Sequence, residues 1–249
     1  MLPLVIVAGD AYLLRRDLSS VTSFTWLRHL ISRWPRYAAF LVVVALYFGV
    51  RSLLYPSPIT REAGKIAFID NPLAAADWYS RLVTALQVLG DYFQLLVWPR
   101  ILSADYSFNS VPVAHSISER GVLVGIVLLA ATLTTMSVSF WRRGRVWLPI
   151  ALGLVTILPT SNLIIAIGTI KAERLLYLPS VGFCVAAAVI AVSFYRRFHS
   201  QPALRFGGIT LFGLILVALS IRTVARNVDW RSEQSLWAAA ATQNPTDGR

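Results

Sequence analysis

Five long apolar segments constrain the fold of this 249-residue chain more than any other feature. They cover residues 37–54, 121–141, 146–167, 178–195 and 207–225. Each is close to the roughly 20 residues that a helix needs to cross the hydrocarbon core of a bilayer. Charged residues make up only 14% of the chain, against about 25% in a soluble domain. The sequence therefore predicts an all-α, polytopic membrane protein.

Two weaker segments complete this prediction. Residues 1–14 are apolar but too short for a span, which predicts the end of a helix whose beginning precedes the sequence. Within 81–98, polar side chains recur at helical spacing and form one stripe, at Thr84, Gln87, Asp91 and Gln94. The stripe predicts an amphipathic helix that lies in the membrane interface, or that lines a polar cavity between spans. We therefore expect about six membrane segments plus one helix that does not cross.

The positions of the arginines orient the segments. The net charge is +11, and the basic residues cluster at 15–36, 142–145 and 196–205. Such clusters are typical of cytoplasmic connections. All three lie on the cytoplasmic side if the helix at 81–98 does not cross the membrane. Residues 55–120, about 168–177 and the stretch after 226 are then outside the cytoplasm, with the carboxyl end. The arginines do not form a basic surface stripe of the kind that binds nucleic acid. We therefore predict no nucleic-acid partner.

This topology divides the chain into four parts. Residues 1–54 hold the partial first span, a cytoplasmic loop and the second span, and 55–120 form an outside loop region around the helix at 81–98. Residues 121–226 form a four-span bundle. Residues 227–249 begin a further helical region, because an alanine-rich helix at 232–243 precedes Asn244 and Pro245, as at the junction of tetratricopeptide units.

Three outside stretches hold more polar residues than a connection needs. They contain the candidate residues Asn71 and Arg81; Asp105 and Tyr106; and Ser161, Asn162, Lys171, Glu173, Arg174 and Tyr177. Lys171 and Arg174 could bind an anionic headgroup, or could be surface anchors beside Glu173. Asp105 could be a general base, a metal ligand or the cap of a turn. Neither a disulfide nor a zinc site is predicted, since the one cysteine, Cys184, lies in an apolar run, and no metal-binding residues are assigned.

Several sequence runs, taken in order, resemble one family. They are NP at 71–72, PRILSADYS at 99–107, PTSNL at 159–163, AERLLYLPSVGFC at 172–184 and the closing RN, DWRSE and LW from 226 onward. Together they resemble the transmembrane and tetratricopeptide-repeat (TMTC-type) O-mannosyltransferases and their bacterial relatives, with 55–120 similar to the family's domain of unknown function, DUF1736. The resemblance implies a GT-C-type glycosyltransferase in the bacterial inner membrane or the endoplasmic reticulum.

The resemblance also implies an activity and a site. Such enzymes move a sugar from a polyprenyl-phosphate carrier to protein Ser or Thr on the lumenal or periplasmic side, with repeats that follow on that side and bind the acceptor protein. Lys171, Glu173, Arg174 and Asp105 would line the donor site, with Arg174 and Lys171 neutralising the lipid phosphate. The family's catalytic acid lies in the first outside loop, which this sequence does not contain. We therefore assign no catalytic residue and no cofactor, and expect this piece alone to be inactive.

Two alternatives remain open at this stage. A membrane scaffold without enzymatic activity could present a repeat domain, as the helix at 232–243 indicates. A transporter would place charged residues on broken helices near the midplane of the membrane. Here the charges lie at the ends of the segments, which disfavours a transporter.

Overall fold

The computed structural model describes residues 9–10, 31–32, 34–54, 66–106, 109–142 and 144–243. Seven α-helices lie in these ranges: α1 Trp34–Leu54, α2 Trp78–Val97, α3 Arg120–Trp141, α4 Trp147–Ile157, α5 Tyr177–Arg197, α6 Pro202–Asn227 and α7 Glu233–Gln243. Short 3-10 helices at Pro72–Ala74, Leu158–Thr160, Glu173–Leu176 and Asp229–Arg231 adjoin them. No strand occurs in the described ranges. The predicted fold class, an all-α polytopic membrane protein, is confirmed.

Three of these helices are long and apolar enough to cross a bilayer. They comprise Arg120–Trp141, Glu173–Arg197 with its 3-10 turn, and Pro202–Asn227. Their side chains are largely exposed, since 0% of the apolar window in α6 is buried and 11% in α3. Exposed apolar helices of this length are typical of surfaces that face lipid. The predicted total of six spans stays a prediction. The segment at 1–14, most of the first arginine cluster, and Asn244 with Pro245 fall largely or wholly outside the described residues.

One predicted segment is wrong in its extent. The apolar run at 146–167 was expected to be a single span, but α4 ends at Ile157 and a 3-10 turn ends at Thr160. Pro159 has no N–H to continue the helix, and its ring excludes a regular turn before it. The Ser161 hydroxyl then donates to the Leu158 carbonyl, 2.7 Å away. The apolar residues after Thr160 therefore belong to a loop.

Glycines permit the closest helix contacts. A Cβ on Gly125 of α3 would lie 2.0 Å from the Leu86 carbonyl oxygen of α2, and one on Gly90 would lie 2.9 Å from the Gly125 Cα. In the same way, a Cβ on Gly182 of α5 would lie 2.5 Å from the Pro149 carbonyl oxygen of α4. Small residues at such crossings let helix backbones approach closely, as is common in membrane proteins. The pairs α2–α3 and α4–α5 are thus in backbone contact.

The buried core lies where the loops meet α2. Its members come from the turn at 73, from α2, from the 111 loop and from 170–176, and they are Leu73, Val88, Leu89, Tyr92, Val111, Ile170 and Leu176. Asp77 starts α2, because its carboxylate accepts from the Ser80 N–H at 3.0 Å. The long helices expose most of their apolar side chains. This core of the described structure is therefore formed by α2 and the loops that pack against it.

Two buried asparagines hold this loop region together. The Asn71 amide donates to Asn162 Oδ1 at 3.0 Å and to the Ile167 carbonyl at 2.7 Å, while Asn71 Oδ1 caps the turn at Leu73. Asn162 accepts from the Ile167 N–H and donates to the Ile170 carbonyl. Its φ of 59° is left-handed, a conformation that asparagine adopts more readily than most residues. The pair fastens the loop at 161–170 to the turn before α2.

The polar stripe of α2 contacts protein. Thr84 is buried and its hydroxyl accepts from the Ala114 N–H at 2.8 Å. Gln87 lies against Gly121 of α3, and Asp91 pairs with Lys171 at 2.9 Å. Only Gln94 is exposed. The amphipathic helix predicted at 81–98 is confirmed as a helix, and most of its polar side is used in packing; its position relative to the membrane stays a prediction.

We expect Gly125→Ala to destabilise the fold by about 1–3 kcal/mol, because the added methyl group would overlap the Leu86 carbonyl. Gly213→Ala in α6 is the matched control, since a Cβ there would meet no atom within 4 Å. Thermal unfolding in detergent micelles measures both variants. Equal midpoints for the two variants would contradict the close α2–α3 crossing.

Asn162→Ala should lower the free energy of unfolding by about 1–3 kcal/mol for each buried group that loses its hydrogen-bond partner. These groups include the Ile167 N–H and the Asn71 amide. Asn227→Ala, at an exposed asparagine that ends α6, is the control. The two are compared by the denaturant midpoint, and an unchanged midpoint for Asn162→Ala would refute the role of this side chain.

Candidate functional site

Polar residues from three separate parts of the chain converge at one end of the helices. The loop at 99–106 follows α2, the segment at 171–173 precedes α5, and Arg226 is in the last turn of α6. The guanidinium of Arg222 in α6 donates to the Pro99 carbonyl at 3.0 Å and to the Arg100 carbonyl. These bonds hold the loop at 99–106 against the end of α6. The residues in contact here, together with two residues of α2, form what we call the polar cluster: Asp91, Tyr92, Ser103, Tyr106, Lys171, Glu173 and Arg226.

Lys171 is at the centre of the polar cluster. Its Nζ pairs with Asp91 Oδ2 of α2 at 2.9 Å and lies 4.9 Å from the centre of the Tyr106 ring. The lysine side chain is only 11% exposed, so its charge is shielded from solvent and the pair with Asp91 compensates it. Lys171 thereby joins three elements that are distant in sequence.

Glu173 accepts two hydrogen bonds beside this lysine. The Ser103 N–H donates to Glu173 Oε1 at 2.6 Å, and the Tyr106 hydroxyl donates to the same oxygen at 2.9 Å. Burial raises the pKa of Tyr106 well above its usual range, and the neighbouring charge of Glu173 raises it further. The phenol therefore stays protonated at neutral pH and remains a hydrogen-bond donor to the carboxylate.

Tyr92 connects the polar cluster to the core. Its hydroxyl accepts from the Ala172 N–H at 3.0 Å and lies 3.4 Å from the Ala172 carbonyl, to which it donates. Burial raises the pKa of Tyr92 to about 12, so this hydroxyl is also neutral near pH 7. The backbone between Lys171 and Glu173 is thus held in place by Tyr92 of α2.

Arg226 completes the polar cluster. Its Nη1 pairs with Asp229 at 2.6 Å, and its positive charge acts electrostatically on Glu173 and Tyr106. The side chain is buried, yet Nε and Nη2 have no hydrogen-bond partner in the described part of the chain. Within the same residue ranges, the buried Ser103 hydroxyl also lacks one. Unsatisfied buried polar groups are uncommon in proteins, so each needs an explanation.

The structure brings some of the predicted residues together and separates others. Lys171, Glu173 and Tyr106 are in contact, and Asp105 is half-buried next to Tyr106. Arg174 is exposed at the edge of the polar cluster. Asn71, Ser161 and Asn162 belong to the neighbouring loop network instead.

Two predicted residues lie apart from the polar cluster. Arg81 is half-buried in the first turn of α2, and Tyr177 is 78% exposed at the start of α5. Among the described residues, neither side chain hydrogen-bonds to the polar cluster. Their assignment as site residues stays a prediction without a contact to support it.

Four members of the polar cluster, Asp91, Tyr92, Ser103 and Arg226, were not predicted as site residues. Asp91 is an acid in an otherwise apolar stretch, which is a signal of function in a membrane protein. Tyr92 is the next residue, and no feature of the sequence marks it as a site residue. Arg226 follows a long apolar segment, where an arginine is ordinarily an anchor at the membrane surface.

An apolar groove of about 550 Å³ lies next to the polar cluster. It runs between α2, α3, α4 and α5, and its walls include Leu89, Tyr92, Leu129, Pro149, Gly153 and Phe183. Tyr92 belongs to both places, since its ring lines the groove and its hydroxyl binds the backbone beside Lys171. The arrangement can accommodate a molecule with an apolar part and a polar head.

Comparisons with known proteins identify the family that this chain resembles. Residues 61–133 match the family model described as "Protein O-mannosyl-transferase TMTC, DUF1736". The chain is 30% identical to protein O-mannosyl-transferase Tmtc3 of Drosophila melanogaster over 185 residues, covering 72% of this chain and 20% of that protein. It is also 30% identical to protein O-mannosyl-transferase TMTC4 of Mus musculus over 222 residues, covering 83% of this chain and 28% of that protein.

The matched region extends through most of the chain but not through most of the relatives. A third relative, protein O-mannosyl-transferase F38B6.6 of Caenorhabditis elegans, is 30% identical over 190 residues, or 76% of this chain and 26% of that protein. The chain thus spans about a quarter of the length of these relatives. No solved structure matches it. The resemblance inferred from the sequence is confirmed, and the chain belongs to the TMTC family, whose DUF1736 region it carries at residues 61–133.

Proposed function

We propose that this chain forms part of a membrane glycosyltransferase that moves a mannose-like sugar from a polyprenyl-phosphate carrier to protein Ser or Thr. The family membership supports mannosyl transfer, because the relatives are named protein O-mannosyl-transferases. The observation that carries the proposal is the contact of Lys171, Glu173 and Tyr106 beside an apolar groove. A lipid-linked sugar has the same division into an apolar chain and a polar head.

The groove and the polar cluster suit the two parts of such a donor. In this proposal the polyprenyl chain lies in the groove between α2, α3, α4 and α5, whose walls are almost entirely apolar. The phosphate and sugar then reach Lys171, Glu173, Arg174 and Asp105. Cationic side chains there would stabilise the charge that develops on the leaving phosphate, and carboxylates would accept hydrogen bonds from sugar hydroxyls.

The positions of the arginines support a lumenal or periplasmic site. The polar cluster lies where α4 ends and α5 begins, so the other ends of these helices are the α3–α4 and α5–α6 connections. Those connections carry Arg142 and Arg145, and Arg196 and Arg197. Arginine-rich connections favour the cytoplasmic side, which would place the polar cluster on the opposite one. The helix Glu233–Gln243 would follow on that side and lead to repeats that bind the acceptor protein.

We expect Arg174→Ala to reduce mannose transfer about 100-fold or more, the usual loss when one donor to a developing negative charge is removed. The assay measures transfer from polyprenyl-phosphate mannose to an acceptor peptide, in membranes that contain the full-length protein. Arg197→Ala, at the opposite end of α5, is the control and should transfer normally. Normal transfer by Arg174→Ala at equal expression would refute the assignment of Arg174 to the donor site. If neither the unmodified protein nor the variants transfer mannose, that result would favour a membrane scaffold without enzymatic activity.

A further inference from the structure

One arginine stands out in α6, a long and largely exposed helix. In α6, which has 26 residues, the only buried residue is Arg226. An isolated charge is costly to bury, so buried arginines are normally paired on every side. Arg226 is paired on one side only, by Asp229 through Nη1.

The unpaired side of Arg226 is the one that recognises oxyanions. Nε and Nη2 point in nearly parallel directions along one edge of the guanidinium group, and this edge binds carboxylates and phosphates with two hydrogen bonds. Both atoms are buried, and no described residue accepts a hydrogen bond from either of them. The bond from Nη1 to Asp229 fixes the plane of the group and leaves this edge unsatisfied.

A second unsatisfied group belongs to the same cluster. The Ser103 hydroxyl is buried and unpartnered, while the Ser103 N–H is bound to Glu173. Arg226 acts electrostatically on Glu173, but no ion pair joins them among the described residues. Glu173 instead accepts from the Ser103 N–H and the Tyr106 hydroxyl. The carboxylate therefore does not satisfy the guanidinium edge.

The local charge favours an anion as the missing partner. Arg222 lies one helical turn before Arg226 on the same face of α6. Its guanidinium donates to the backbone carbonyls of Pro99 and Arg100, so no carboxylate in the described structure compensates its charge. This face of α6 thus presents two guanidinium groups with one directly paired acid, Asp229.

We propose that the Nε–Nη2 edge of Arg226, together with the Ser103 hydroxyl, binds the phosphoryl oxygens of a phosphate ester. The inference rests on the proposed function for the source of that phosphate, which would be the head of a lipid-linked sugar. A free phosphate group offers the same oxygens. In either case Arg226 is a phosphate-binding residue in addition to Arg174.

The test is equilibrium binding of farnesyl phosphate to the purified full chain in lipid nanodiscs. Arg226→Gln should weaken binding about 10-fold to 100-fold, because charge-assisted hydrogen bonds are lost. Arg226→Lys should weaken it also, since lysine keeps the charge but lacks the two-bond edge. Arg231→Gln removes the same charge from an exposed neighbour and should bind like the unmodified protein. Unchanged binding by Arg226→Gln would overturn the proposal.

Ser103→Ala keeps the proposal testable if changes at Arg226 prevent folding. Its hydroxyl makes no hydrogen bond to any described residue, so its removal should leave the unfolding midpoint unchanged while binding weakens several-fold. Unchanged farnesyl phosphate binding by Ser103→Ala would then overturn the proposal.

Two competitors identify the source of the phosphate. Displacement by inorganic phosphate would support recognition of the phosphate group alone, and displacement only by polyprenyl phosphates would support a lipid-linked ligand. Equal displacement by farnesol, which has no phosphate, would refute the proposal. Binding that depends on Arg226 without any sugar transfer would contradict the proposed function and leave this inference standing.

Discussion

The hydrogen bond between the buried amides of Asn71 and Asn162 is the interaction on which the rest of the site depends. It joins residues that are 91 positions apart in sequence, and it fixes the path of the loop after α4. That path brings Ile170 into the core and places Lys171 and Glu173 beside α2 and the loop at 99–106. A loop so anchored can hold charged side chains in position without ordered secondary structure of its own.

Most of the fold follows from the sequence because helices in membranes are dictated by length and hydropathy. The segments at 121–141, 178–195 and 207–225 correspond to α3, α5 and α6, and the polar stripe at 81–98 corresponds to α2. The prediction of one span over 146–167 was wrong in its extent. It relied on the apolar composition of the segment and did not include the interruption of the helix at Pro159. An apolar side chain such as Ile170 can be buried under a loop as well as in a span, and hydropathy does not distinguish the two.

The candidate site was predictable only in part. Lys171, Glu173 and Tyr106 were indicated by charge and position, but their contacts with Asp91 and Ser103 depend on tertiary packing. Asn71 and Asn162 were predicted with the site residues and serve instead to build its frame. Arg226 was hidden because an arginine at the end of a span usually extends to the surface, and only the three-dimensional structure shows that it is buried.

The side of the membrane that the polar cluster faces decides whether it can meet a lipid-linked sugar and a secreted acceptor. Cysteine labelling answers this directly: Arg174→Cys in a Cys184→Ala background is treated with a membrane-impermeant maleimide in sealed vesicles of known orientation. Position 174 is exposed at the edge of the polar cluster, so the new thiol is open to the reagent. We expect labelling from the lumenal or periplasmic face alone. Labelling only from the cytoplasmic face would contradict the proposed position of the polar cluster.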